Sequence, residues 1–113
     1  MEVIPRDARP YIRPNGQSPF LDWFDSLEAE IQNRIRSRLN RLRSGNFGDC
    51  KSVGLGVFEI RIHFGPGYRI YFGVDGLKII ILLLGGDKDS QTKDIQDAHY
   101  YWSEYWSKKH EGI

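Results

Sequence analysis

The sequence predicts an α+β domain in which helices come first, an antiparallel meander follows and a helix closes the chain. Apolar residues recur at spacings of three and four from Phe20 to Leu42, then at spacings of two from Val57 onward. The turns Gly65-Pro66-Gly67 and Asp75-Gly76 cut that second stretch into strands of hairpin length. At 113 residues the chain fits one domain, spanning 1–113, and it can close a core without disulfide or metal staples.

Each element has its own local reason. Ala8-Arg9-Pro10-Tyr11-Ile12-Arg13 reads as an edge strand, because a proline cannot serve an interior ladder, and Pro14-Asn15-Gly16 reads as a turn. Ser18-Pro19 opens a helix with a hydroxyl cap and a proline at the first position. Phe20, Phe24, Leu27, Ile31, Ile35, Leu39 and Leu42 then form one helical face. One helix of about 25 residues would fit this run, but two helices broken near Ser26-Leu27-Glu28 fit better, with Asp25 and Ser26 as caps. Gly45-Asn46 and Gly48 end the helical region. Val57–Phe64, Tyr68–Val74 and Leu77–Leu84 are strands; the last is apolar on both faces, as expected of an interior strand covered on both sides. Gly85-Gly86-Asp87-Lys88-Asp89 reads as a loop. Asp89 or Ser90 caps a final helix bearing Ile95, Ala98, Trp102 and Tyr105, with a frayed tail from Lys108.

Composition excludes several classes. The longest apolar run, Ile79–Leu84, is far short of the roughly 20 residues that span a bilayer. The opening Met-Glu-Val-Ile-Pro-Arg lacks the basic start and apolar stretch of a signal peptide, so a cytoplasmic location and no membrane partner are expected. The lone Cys50 excludes an internal disulfide. Net charge is +1, but it is unevenly spread: residues 1–30 carry three basic and six acidic side chains, residues 31–70 eight and two, and residues 71–113 five and seven. A basic middle third in a nearly neutral chain suits a polyanion.

The hairpin carries the strongest chemical signal. Phe58, Ile60, Ile62 and Phe64 alternate with Val57, Glu59, Arg61 and His63; Tyr68, Ile70 and Phe72 alternate with Arg69, Tyr71 and Gly73. Apolar faces must coincide, so Arg61 stands opposite either Tyr71 or, after a slide of two, Arg69. Either register gathers Glu59, Arg61, His63, Arg69 and Tyr71 on one face. Guanidinium forks match phosphate and stabilise developing negative charge, a carboxylate or imidazole can move a proton, and a ring can stack on a base. Such a set suits metal-free RNA cleavage, in which a base frees a ribose 2′-hydroxyl to attack the adjacent phosphate. The plain alternative is a solvated sheet face with cross-strand ion pairs.

A second signal is the helix bearing Arg34, Arg36, Arg38, Arg41 and Arg43, with no acid from Ile31 to Gly48; Arg34, Arg38 and Arg41, with His63, are candidate RNA contacts. Lys51 and Lys88 stand near strand ends. Tyr100, Tyr101, Trp102, Tyr105 and Trp106 divide between core and a patch that a partner could cover. No cofactor or metal is expected. Gly54-Leu55-Gly56 lacks a dinucleotide loop's third glycine, Asp87 and Asp89 lack a calcium loop's glycine, the histidines lack ligand spacing, and there is no Gly-x-Ser-x-Gly.

The stretches Gly45–Gly54, Gly56–Phe72 and Leu82-Leu83-Leu84-Gly85-Gly86-Asp87-Lys88, followed by Gln91 and Asp94-Ile95, resemble the addiction-module killer proteins, the phage-derived Gp49-like and HigB-like toxins of the RelE/ParE superfamily. The resemblance spans residues 8–107 or so. It implies two N-terminal helices packed on a small antiparallel sheet. It also implies a type II toxin with a separate antitoxin, often of helix-turn-helix type, in a hetero-oligomer, and cleavage of messenger RNA on the ribosome without a metal, leaving 2′,3′-cyclic phosphate ends. Carried onto this chain, the catalytic candidates are Lys51, Glu59, Arg61, Arg69, Tyr71 and Lys88. Arg61 and Arg69 would clamp phosphate, Glu59 would act as general base with His63 as the alternative base, and Lys88 or Lys51 would assist the leaving oxygen. Two other readings share the resemblance: a ParE-like gyrase poison that cuts no RNA, and an inactive homologue that only binds its antitoxin.

Overall fold

The structure, a computed structural model, describes residues 4–111. In chain order the elements are β1 (Asp7–Pro10), α1 (Pro19–Asp25), α2 (Ala29–Arg43), β2 (Cys50–Ser52), β3 (Val57–Ile62), β4 (Tyr68–Asp75), β5 (Ile79–Asp87) and α3 (Gln91–Glu111). The strands form one sheet in the order β1-β5-β4-β3-β2. β2, β3, β4 and β5 pair antiparallel, as hairpin turns require, whereas β1 runs parallel to β5. The sheet is therefore mixed. A parallel pair needs a long crossover, and two helices and three strands separate these two strands in the chain, so sequential alternation could not reveal the pairing.

The helical run does break where its caps suggest, but the caps act differently. Ser18 caps α1, its hydroxyl accepting from the Leu21 amide at 3.4 Å. Ser26 closes the end of α1, its hydroxyl donating to the Trp23 carbonyl at 2.6 Å, and α2 starts at Glu28 with no side-chain cap. The two helices cover one sheet face. There Phe20, Ile35, Leu39 and Leu42 pack against Ile60, Ile62, Ile70, Phe72, Ile80 and Leu82. α3 covers the other face, where Ala98 and Trp102 pack against Val57, Tyr71, Ile81 and Leu83. β5 is thus interior and buried on both sides, the physical reason for its unbroken apolar run. A β-bulge between the Tyr71/Leu84 and Phe72/Leu82 pairs puts both Leu83 and Leu84 on the α3 side.

Several bounds differ from expectation: β1 stops at Pro10, β3 stops at Ile62 and β5 begins at Ile79. β5 continues through Gly85 and Gly86 instead of ending in a loop, because bare glycines let other elements close in. A Cβ on Gly85 would collide with the Trp23 ring, and one on Gly86 with Asp94 and Ser90. β2 is too short to show alternation and pairs with β3 through Lys51↔Glu59. α3 stays helical past Lys108, and Lys109 is tied to Asp75 at 2.5 Å.

Candidate functional site

Of the two registers open to the hairpin, the structure has the slid one: Glu59 faces Tyr71 and Arg61 faces Arg69. Its polar side is not a solvated face, because α3 lies over it. Glu59 and Tyr71 have no exposure at all, and the Arg69 side chain only 12%.

Glu59 is the hub. Its Oε1 accepts from Arg61 Nε at 3.1 Å and lies 3.9 Å from Lys51 Nζ, brought alongside by β2. Its Oε2 accepts from Gln91 Nε2 at 2.9 Å and lies 3.8 Å from Arg69 Nε. Three cations thus converge on one carboxylate, leaving an excess of positive charge. Burial alone would raise the Glu59 pKa. The hydrogen bonds from Gln91 and Arg61, with the nearby Tyr71 hydroxyl and the charge of Lys51, outweigh it and hold the carboxyl below the usual range. The Tyr71 hydroxyl is raised well above an ordinary phenol, by burial first and then by the facing carboxylate. It points toward Glu59 without closing a well-aligned bond, and Arg69 Nε likewise has no hydrogen-bond partner. The Arg61 side chain is 35% exposed and Lys51 50%, so the cluster opens to solvent on the β2 side.

Next to the cluster is a surface cleft of about 350 Å³ between α2 and the end of β3, lined by Arg34, Arg38, Arg41, Asp49, Arg61 and His63 among others. Arg61 borders both features. His63 is exposed and shares a 2.6 Å hydrogen bond with Asp49. That bond is the main cause that holds the Asp49 carboxyl below its ordinary value; desolvation opposes it, and the charges of His63, Arg61 and Arg38 add to it. Arg34 lies over the Phe64 ring at 4.2 Å, and Arg41 is exposed. Arg38 differs: it is 6% exposed and donates to the carbonyls of Asn46, at 3.3 Å, and Phe47. Burial lowers its pKa, with help from Arg41. It forms the cleft wall and ties down the loop after α2.

Residues 22–99 match the family described as phage derived protein Gp49-like (DUF891). The chain belongs to that family. It is a family of addiction-module killer type, associated with toxin–antitoxin modules, which suggests an antitoxin as partner. An uncharacterized protein of Haemophilus influenzae is 48% identical over 80 residues, covering 66% of this chain and 81% of that relative. The family match runs from α1 into α3 and takes in the whole hub and the cleft.

Within this Gp49-like chain, Lys51, Glu59, Arg61, Arg69 and Tyr71 come together as one cluster. Lys88 does not join it: it is exposed in the turn into α3, two residues past the Gly86 that pairs with Arg69. His63 lies in the cleft, not in the hub. Two residues of the site, Gln91 and Asp49, lie in stretches that carry the resemblance but were not among the candidate site residues. Gln91 is an uncharged side chain on a helix, outside any alternation. Asp49 precedes a strand too short to show itself; an acid so near the basic run was the available signal. Among the described residues no cluster of His, Cys, Asp or Glu could hold a metal ion, and no helix is long and apolar enough to cross a membrane.

Proposed function

We propose that this chain is the toxin of a type II module, HigB-like within the RelE/ParE superfamily, and that it cuts messenger RNA on the ribosome. One observation carries the reading: Lys51, Arg61 and Arg69 converge on a single buried carboxylate and open beside a cleft lined by further arginines. Among the described residues no protein group accepts from the terminal nitrogens of Arg61, so they are available to a phosphate.

In this reading Glu59 is the organiser of the cations and not the base, since it is unexposed and held ionised by its donors. His63, exposed in the cleft and oriented by Asp49, takes the proton from the ribose 2′-hydroxyl. The freed oxygen attacks the adjacent phosphorus, and Arg61 and Arg69 stabilise the charge that builds on the phosphate oxygens. The bond to the 5′ oxygen breaks, and Lys51 or Lys88 supplies its proton, leaving a 2′,3′-cyclic phosphate and a 5′-hydroxyl. Tyr71 is buried and serves as a positioning residue beneath the hub. Arg34 and Arg41 guide the strand along the cleft. A helix-turn-helix antitoxin would neutralise the chain in a cytoplasmic hetero-oligomer.

The test is brief expression without antitoxin, with messenger RNA 5′ ends mapped and DNA damage signalling scored in parallel. Codon-phased cuts that vanish in a folded Arg61→Ala variant are expected. Intact messages with a damage response would replace the nuclease reading with gyrase poisoning; no growth effect would leave an inactive homologue.

A further inference from the structure

Two buried polar atoms beside Glu59, the Tyr71 hydroxyl and Arg69 Nε, lack hydrogen bonds although a carboxylate is close by. Buried donors next to an anion normally close onto it, so something holds them apart. The occupant of the contested oxygen is Gln91: its amide bonds Oε2 at 2.9 Å, while Arg69 Nε stops at 3.8 Å from the same atom. The first turn of α3 is fixed in place to do this. The Asp87 carboxylate accepts from the amides of Asp89, at 2.9 Å, and Ser90, at 3.2 Å; the Ser90 hydroxyl donates to Asp94 at 2.5 Å; and Gly86 lets that turn approach the sheet.

We propose that Gln91 is a positioning residue that occupies Glu59 Oε2 and so keeps Arg69 from collapsing into a closed ion pair, leaving its guanidinium for the scissile phosphate. The role rests on the nuclease reading. It divides the hub: Arg61 is anchored through Nε, and Arg69 is held near the carboxylate yet uncommitted. A neutral amide suits the post. A carboxylate there would repel Glu59, and a shorter side chain would not span from helix to sheet.

The test uses Gln91→Met in the full chain, which keeps length and helix propensity but cannot donate. The side-chain Nε–H signals of Arg61 and Arg69 are followed by NMR, and cleavage is followed on translating ribosomes. In Gln91→Met the Arg69 Nε–H should shift downfield and gain exchange protection as its pair with Glu59 closes, while Arg61 stays put. Cleavage should fall by about ten- to a hundredfold, the range for a misplaced catalytic group. An unchanged Arg69 signal overturns the proposal, even if cleavage falls, since Gln91 would then act on the RNA directly. A shifted Arg69 with full cleavage overturns it as well. If the wild-type chain cuts no RNA, the nuclease reading fails by itself, while the Arg69 signal still decides whether Gln91 holds the two groups apart.

Discussion

Replacing Glu59 by Gln removes the one negative charge among Lys51, Arg61 and Arg69 while keeping the shape of the side chain. Removing one partner of a fully buried ion pair costs about 3–5 kcal/mol. Two of the three cations here reach solvent, with side chains 50% and 35% exposed, so screening reduces the penalty. Arg61 and Arg69, directly opposed across the strands, would repel without the carboxylate. A loss of about 2–3 kcal/mol is expected, or about 8–12 °C in melting temperature for a domain of this size. The pH dependence follows from the direction of the shift. Glu59 is held below the ordinary carboxylate range, so its contribution is complete above the unfolded value of about 4.3 and disappears as pH falls through the folded value. Thermal melts of both chains from pH 6 down to pH 3 should therefore converge in acid, and 1 M salt should narrow the gap at pH 7. Equal melting temperatures at pH 7, or a gap that does not shrink in acid, would refute the view that Glu59 organises the cluster.

Other substitutions probe the frame and the cleft. Gly85→Ala forces a methyl into the Trp23 ring and should cost about 1–3 kcal/mol in chemical denaturation, as overpacking does. Arg38→Ala strips the donors from the Asn46 and Phe47 carbonyls and should lower stability by about 1–3 kcal/mol; a neutral effect would mean the loop holds itself. Arg34→Ala and Arg41→Ala should each reduce the slope of log affinity against log salt by about 0.7 for single-stranded RNA, with melting temperature unmoved. His63→Ala should depress cleavage while leaving the melt within about 0.5 kcal/mol of wild type, because the side chain is exposed.

Much of this frame is legible in the residues. The switch from helical to strand spacing near Gly48 places the elements, and parity in the hairpin puts Glu59, Arg61, Arg69 and Tyr71 on one face whatever the register. Parity could not choose between registers differing by two residues, because both bury the same apolar side chains. Composition marked residues 31–70 as basic, but it could not separate Arg38, turned into the loop, from the exposed Arg34 and Arg41. That difference depends on where the chain passes after α2.

The sequence by itself determined the local order: helices, hairpins and a polar set gathered on two neighbouring strands, all governed by period and turn chemistry acting over a few residues. The tertiary structure decided what that polar set becomes. Only when α3 folds over the sheet does Glu59 lose its water and gain Gln91, from 32 positions further along the chain. Burial, and with it the strength and direction of every charge interaction in the hub, is set by which element covers a surface. No local pattern encodes that choice, because the covering helix is selected by apolar contacts with residues of several strands on the same face.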